Sequence, residues 1–188
     1  MSAEARVTPI WKKQKLFLAL FFLVVSILFF HDGIRGYPAS NERWLAYEKF
    51  KNGEHLGDWP AYARDHGWNE TPPHKFYQPS DIAGQFFFGG LALLVGSWAL
   101  VFWMMQKGRM IRMDEQAVYT PAGVRVPFEE ITGMDKRKWE AKGLATVRYR
   151  AGAKTGQFIL DDYKFERDPV HQILAEIEEK GRNRNSPA

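Results

Sequence analysis

The sequence has no cysteine among its 188 residues. That absence excludes disulfide bonds, thiolate metal sites and cysteine nucleophiles. Charged residues are also missing from two blocks, 16–30 and 86–105, in which large apolar side chains dominate. The chain therefore folds without covalent cross-links, and the two apolar blocks determine its organisation.

Recognisable catalytic signatures are lacking as well. The sequence contains no glycine-rich phosphate loop, no nucleophile elbow and no metal-ligand motif. Asp161 and Asp162 are adjacent, but neighbouring side chains of a strand point to opposite faces, which argues against joint catalysis. We therefore expect a protein that is not an enzyme, with no catalytic residue, no metal, no cofactor and no nucleic-acid partner.

The second apolar block is long enough to cross a membrane. Its twenty uncharged residues correspond to about 30 Å of helix, which matches the thickness of a hydrocarbon core. No polar face interrupts the block, which argues against a helix of a soluble protein. We predict a transmembrane helix over residues 82–105.

The first apolar block, 16–30, is shorter, and two interpretations of it remain open. Thirteen of its fifteen residues are Leu, Phe, Val or Ile, and the lysines of segment 12–15 can reach the interface from an extended helix. A basic segment before an apolar block is also typical of a cleaved signal peptide. Tyr37 stands where a cleavage site needs a small residue, so we favour a retained transmembrane helix.

Basic residues beside the two blocks predict their orientation. Lysines in segment 12–15 precede the first block, and Lys107 and Arg109 follow the second, whereas the segment between the blocks is net negative. Cytoplasmic segments carry the excess of Lys and Arg. We expect an integral membrane protein with both termini in the cytoplasm and an N-terminal tail over residues 1–15.

Small residues recur along one face of the second block. They are Gly89, Ala92, Gly96 and Ala99. Such a face permits close approach of another helix. The partner is either the first block, which makes a hairpin, or a second copy of the chain, which makes a homodimer. We favour the hairpin.

The segment 31–81 is predicted to be a compact extracytoplasmic loop with short helices over 41–51 and 58–66. Ser40 or Asn41 is placed to cap the first of these helices. Four of the five histidines lie in this loop, but without the helical spacing of metal ligands. The loop's aromatic side chains either recognise a ligand or partner, or pack on one another. The candidate recognition residues are Trp44, Tyr47, Trp59 and Trp68.

The pattern changes at Met110, where short alternating apolar runs begin. The runs are spaced eight to twelve residues apart, which predicts about six strands in an antiparallel meander or partial barrel. A helix follows, beginning at Asp168 and ending near Gly181. Its apolar stripe consists of Val170, Ile173, Leu174 and Ile177. We expect an α+β domain over 109–181 and a flexible tail over 182–188.

Two short segments give this domain a family resemblance. Val124–Ile131 reads Val-Arg-Val-Pro-Phe-Glu-Glu-Ile, and Leu160–Asp162 ends the last strand before the helix. With the order of strands and helix over about 110–180, this pattern resembles the bacterial pleckstrin-homology-like (PH-like) domains attached to membrane spans. The resemblance implies a binding or scaffolding role, with the bacterial inner membrane as the expected location, and transfers no functional residue.

Four basic residues of the domain are candidate contacts for lipid or a partner. Arg148 and Arg150 alternate onto one face of a strand, and Lys136 and Lys138 do so on another. If the two faces adjoin, the patch can contact anionic headgroups at about 1 kcal/mol per basic residue. The alternative is a solvated outer face whose charge is offset by neighbouring acids.

Taken together, these features predict a membrane-anchored binding or scaffold protein. Its cytoplasmic PH-like domain is expected to dock a protein partner or anionic lipid. The alternative is a signalling or accessory subunit, in which the outer loop senses a ligand or partner and the inner domain reports it. The lipid bilayer is a partner in both cases.

Overall fold

The computed structural model describes residues 2–55, 57–152 and 154–185, and the chain is α+β. Its contacts divide it into two compact units. We call Leu18–Ala99 the helical unit, and Met1–Phe17 with Leu100–Ala188 the sheet unit. Two long helices pass from one unit into the other.

These two helices, α1 (Pro9–His31) and α4 (Pro79–Gln106), contain the two apolar blocks. Each is long and apolar enough to cross a membrane, and only 17% of its most apolar window is buried within the chain. A core helix of a soluble protein would be mostly buried instead. We refer to α1 and α4 as the candidate spans.

The first candidate span does not stop at its apolar end. A π-helical segment, Asp32–Gly36, joins it to α2 (Tyr37–Lys51), and the helix from Pro9 to Lys51 is 43 residues long. The predicted cap at Ser40 or Asn41 is therefore wrong. Pro38 cannot donate a hydrogen bond to the preceding turn, but the helix continues through this point after a π-helical segment in which the Tyr37 N–H donates to the Asp32 carbonyl.

Asn41 instead fixes the return of the loop. Its side-chain amide donates to the carbonyl of Tyr77 at 2.8 Å, and its Oδ1 accepts the Tyr77 N–H at 2.7 Å. The Tyr77 ring stacks on that of Tyr37 with centroids 3.9 Å apart. The second predicted loop helix is present as α3 (Trp59–Asp65).

Within the helical unit, the small face of α4 lies against α1. Gly89, Ala92 and Gly96 are buried, and Ala99 is partly buried. A Cβ at Gly96 would lie 3.0 Å from the backbone nitrogen of Leu23. The small face is thus occupied by the other helix of the same chain.

One polar contact joins the two helices at this face. The Ser26 hydroxyl donates to the carbonyl of Gly89 at 2.8 Å, and Ser26 is 1% exposed. The absence of a side chain at Gly89 is what brings its carbonyl within reach of Ser26.

The sheet unit consists of two antiparallel sheets and a C-terminal helix. The four-stranded sheet has the order β1 (Ala3–Arg6), β2 (Met110–Met113), β3 (Ala117–Tyr119), β4 (Arg125–Pro127). The three-stranded sheet has the order β5 (Ile131–Lys138), β6 (Leu144–Ala151), β7 (Lys154–Asp161). A 3-10 turn at Phe128–Glu130 and a short helix α5 (Trp139–Lys142) connect these strands. Over the described residues the two sheets do not close into one barrel.

The first strand comes from the N-terminal segment that we predicted to be a tail, and that prediction is wrong. Ala3 pairs with Met113 and Arg6 with Met110, in antiparallel register. Ala5 and Val7 are buried in the core, at 0% and 2% exposure. The helices α1 to α4 are therefore inserted between two neighbouring strands of one sheet.

The C-terminal helix α6 (Arg167–Asn185) covers the core. Its predicted stripe is buried, with Val170 and Ile173 at 0% exposure and Leu174 and Ile177 at 6% and 4%. The helix does not end at Gly181, because that glycine is not in the left-handed conformation that stops a helix. Residues 182–185 are helical, so the predicted tail is wrong there, and 186–188 lie outside the described residues.

We predict that Gly89→Leu separates α1 from α4, whereas Gly90→Leu does not. A Cβ at Gly89 would lie 3.2 Å from the Phe29 Cβ, but one at Gly90 has no atom within 4 Å. Overpacking at Gly89 should cost about 1–3 kcal/mol. Thermal unfolding of the full chain in detergent, followed by circular dichroism, measures the difference. Equal losses in the two variants would contradict the packing described here.

Candidate functional site

A broad concave surface lies entirely in the sheet unit. It is a groove of about 520 Å³ between the end of α4, the turn from β3 to β4, and the strand β7. We call it the juxtahelical groove. Its polar and charged lining residues are Gln106, Arg109, Thr120, Gln157, Asp161 and Lys164. Its other lining residues are Pro121, Ala122, Leu144, Tyr149, Phe158, Ile159 and Phe165.

Lys164 is held in the groove by the turn that follows β7. The Asp161 carboxylate accepts the backbone N–H groups of Tyr163 at 3.0 Å and Lys164 at 2.9 Å, which turns the chain. The carbonyl of Lys164 then accepts the N–H of Thr8 at 2.8 Å. The lysine backbone is thus fixed both by its own turn and by the N-terminal segment.

The side chain of Lys164 lies half-buried among polar and aromatic groups. Its Nζ donates to Oε1 of Gln106 at 2.8 Å. It also lies 5.3 Å from the ring centroid of Trp11 and 5.2 Å from that of Phe165. These contacts satisfy part of the ammonium's hydrogen bonding but provide no negative charge.

Two positive charges are therefore close together in the groove. Burial lowers the pKa of Lys164 below its ordinary value of 10.5, and the nearby guanidinium of Arg109 lowers this pKa further. Asp161 acts in the opposite direction and more weakly. The charged form of Lys164 is thus destabilised, and a bound anion would relieve this cost.

Much of the remaining groove wall is apolar. Phe158 is almost fully buried, at 6% exposure, whereas Ile159 is 49% exposed. Leu144 and Pro121 also line the groove. The arrangement suits a ligand that combines a negative charge with an apolar part, since each part finds a matching surface.

The structure places the four predicted basic residues in different surroundings. Arg148 and Arg150 lie exposed on the outer face of the three-stranded sheet, beside a hollow of about 380 Å³. Lys136 instead pairs with Glu178 of α6 at 2.5 Å. Lys138 is exposed at the end of β5, beyond an irregularity in strand pairing that begins at Asp135. The predicted alternation fails at this irregularity.

Acidic groups offset part of the charge on the outer face. Asp135 accepts hydrogen bonds from Arg137, the closest being 2.6 Å from its Nη2, and these bonds lower the pKa of the carboxyl group. The charge of Arg148 lowers that pKa too, by a smaller amount. Arg148 and Arg150 remain the exposed cations of this hollow, together with the hydroxyl groups of Thr132 and Thr155.

In the helical unit, the predicted recognition aromatics pack on other aromatic rings. The Tyr47 ring lies 5.1 Å from Trp59, and Trp59 lies 6.2 Å from Trp68. Trp44 packs separately, 5.2 Å from Phe76. The structure thus brings three of the four residues into one cluster, in which Trp59 is only 7% exposed.

The loop histidines take part in the same packing. His66 stacks on Tyr62 with ring centroids 4.0 Å apart, and His55 stacks on Phe50 at 4.9 Å. Among the residues that the structure describes, no three His, Asp or Glu side chains are grouped so that they could hold a metal ion.

The juxtahelical groove was not predicted from the sequence. Arg109 and Lys164 are 55 positions apart, and neither lies in a motif. Arg109 had indicated only the orientation of the second apolar block. Both residues line the groove because β7 ends beside the segment that links α4 to β2. Periodicity within single elements cannot predict that arrangement.

Comparison with known proteins gives no family for this chain. No family model, curated protein or solved structure matches it.

We predict that raising the pH from 7 toward 10.5 stabilises the wild-type protein relative to Lys164→Met. The pKa of Lys164 is lower in the folded than in the unfolded state. Between these two values the unfolded state binds more protons, so the free energy of unfolding rises with pH. The thermal midpoint of both proteins in detergent at several pH values measures this effect.

The variant Lys138→Met, which removes an exposed lysine, controls for the change in net charge. If the thermal midpoints of wild type and Lys164→Met differ by the same amount at every pH in this range, burial does not destabilise the charged form of Lys164.

Proposed function

We propose that this chain is a membrane-anchored binding or scaffold protein of a bacterial inner membrane. It crosses the bilayer twice, and the sheet unit is a cytoplasmic PH-like domain that docks a partner protein. The pairing of β1 with β2 carries the proposal, because it ties the chain before the first candidate span to the chain after the second.

The strand register supports an even number of crossings. Arg6 lies directly opposite Met110, α1 begins three residues after Arg6, and α4 ends four residues before Met110. The start of α1 and the end of α4 are thus held beside the same sheet. If the two helices cross the membrane, both termini lie on one side of it.

The charge distribution supports a cytoplasmic location for that side. Segment 12–15 carries three lysines, and Lys107 and Arg109 follow α4. Trp103 donates its indole N–H to the carbonyl of Lys12 at 3.0 Å, and the Lys107 Nζ lies 4.6 Å from the Trp103 ring centroid. Tryptophan with neighbouring lysines is typical of a membrane interface on the cytoplasmic side.

The order of elements supports a PH-like domain. Four strands form one sheet, three form the next, and a C-terminal helix covers the core between them. The departure from the expected domain is its first strand, which stands before α1, so that both candidate spans are inserted between the first and second strands.

The exposed hollow at Arg148 and Arg150 supports docking of a protein. It lies at the end of β6 and the start of β7, whereas the candidate spans attach near the other end of β7, where Val7 bridges Phe165. Two guanidinium groups with threonine hydroxyls suit an acidic peptide segment, since arginine binds carboxylates in bidentate geometry.

A sensor role for the outer loop is the second candidate. One specific feature favours it: a single helix runs from Pro9 to Lys51, without a break between the first candidate span and the loop. A ligand that changed the loop could act on that helix directly.

We predict that a membrane-impermeant maleimide labels Lys51→Cys but not Arg182→Cys in intact cells. The native chain has no cysteine, so each variant carries a single reactive site. Both positions are exposed, at 67% and 81% of their side-chain area. Labelling of both variants after lysis is the control, and equal labelling in intact cells would rule out the proposed topology.

We also predict that Arg148→Gln/Arg150→Gln loses protein partners that wild type retains. Wild-type and variant chains would be cross-linked in native membranes, purified and compared by mass spectrometry. The matched control is Arg109→Gln/Lys164→Gln, which removes the same charge from the juxtahelical groove. Identical partner sets in the wild type and both variants would argue against docking at the exposed hollow.

A further inference from the structure

We propose that the juxtahelical groove binds an anionic phospholipid of the leaflet in which α4 ends, with the lipid phosphate between Arg109 and Lys164. This inference rests on the proposed topology. It assigns a ligand to a second surface of the sheet unit, separate from the hollow at Arg148 and Arg150.

The positive charges of Arg109 and Lys164 favour the binding of an anion in the groove. Among the described residues, neither Arg109 nor Lys164 has a carboxylate oxygen within the 4.0 Å of an ion pair. Asp161 lines the groove, but its Oδ1 already accepts two backbone N–H groups of its own turn. A phosphate diester would be the counter-charge that both cations lack, and each could donate hydrogen bonds to it.

The apolar wall distinguishes a lipid from a free phosphate. Ile159 of β7 is 49% exposed, whereas the preceding residue, Phe158, points to the other face and belongs to the core. With Leu144 and Pro121 it forms a surface that inorganic phosphate would leave in water. The glycerol and first acyl carbons of a phospholipid would cover that surface, which is favourable at about 25 cal/mol per Å² of apolar area.

The position of the groove at the end of α4 would bring it close to lipid phosphates. Gln106 is the last residue of α4 and also lines the groove, and Arg109 follows three positions later. Trp11 contacts the Lys164 ammonium and lies 6.3 Å from the Phe102 ring, so an aromatic layer adjoins the groove. Trp11 itself is buried, at 5% exposure, but Trp103 is partly exposed near the end of α4, and tryptophans near the end of a span lie at the level of lipid headgroups. A phospholipid could therefore place its phosphate in the groove without leaving the bilayer.

Native mass spectrometry of the full chain tests this inference. The protein would be purified in micelles that contain phosphatidylglycerol or phosphatidylcholine, and the lipids bound would be counted over a concentration series. We expect tighter binding of phosphatidylglycerol to wild type. Arg109→Gln/Lys164→Gln should weaken that binding roughly ten- to thirtyfold, since each basic residue at a membrane surface contributes about one kcal/mol.

Two controls separate a site from general attraction by charge. Arg148→Gln/Arg150→Gln removes the same charge at the exposed hollow and should leave phosphatidylglycerol binding unchanged. Arg109→Lys/Lys164→Arg keeps both charges and should keep most of the affinity. The thermal midpoints of all variants show whether each one is folded.

Three results would overturn the inference. They are equal weakening by the two glutamine variants, equal binding of the two lipids to wild type, and full displacement of phosphatidylglycerol by millimolar inorganic phosphate. None of them affects maleimide labelling or partner docking. A loss of this lipid site with intact labelling would therefore leave the proposed function in place.

Discussion

The pairing of β1 with β2 is the constraint on which the rest of the structure depends. Four residues near the N-terminus form an edge strand of a sheet whose other members begin more than a hundred residues later. That pairing holds the start of α1 and the end of α4 beside one sheet. It also buries Ala5 and Val7 in the core that α6 covers.

The same constraint builds the juxtahelical groove. The N-terminal segment leaves β1 and bonds to the turn after β7, where the N–H of Thr8 meets the carbonyl of Lys164. Trp11, one turn further on, places its ring against the lysine ammonium. Gln106 reaches the same ammonium from the end of α4. The groove thus lies where both candidate spans enter the sheet unit, and burial there beside Arg109 lowers the pKa of Lys164, a cost that the proposed anion would help to offset.

Much of the architecture could be predicted from local patterns. The two apolar blocks, the stripe of α6 and the small face of α4 depend on periodicities within single elements, and the structure has all three. The N-terminal strand, which the sequence did not predict, depends on a contact distant in sequence. The strand at Ala3–Arg6 is too short to give a signal, and its partner lies beyond the whole helical unit.

The surroundings of the four basic residues also depend on tertiary contacts. Alternation predicted that Lys136 and Lys138 share a face, but an irregularity between Asp135 and Lys138 interrupts the pairing, and Lys136 bonds to Glu178 of α6. The pair Arg109 and Lys164 depends on where β7 ends relative to α4, which only the tertiary fold decides. Stacking of the loop aromatics was one of two alternatives left open, and it is the arrangement observed.

The most direct measurement of the central pairing is disulfide formation between its two strands. Glu4 lies opposite Arg112, and paired residues of antiparallel strands have Cα atoms about 4.5–5.5 Å apart, within the range that a disulfide spans. Glu4→Cys/Arg112→Cys should therefore cross-link rapidly on mild oxidation of the full chain in membranes. Arg6→Cys/Arg112→Cys, which is out of register by two residues, should cross-link far more slowly. Equal rates in the two variants, or no cross-link in either, would contradict the pairing of β1 with β2.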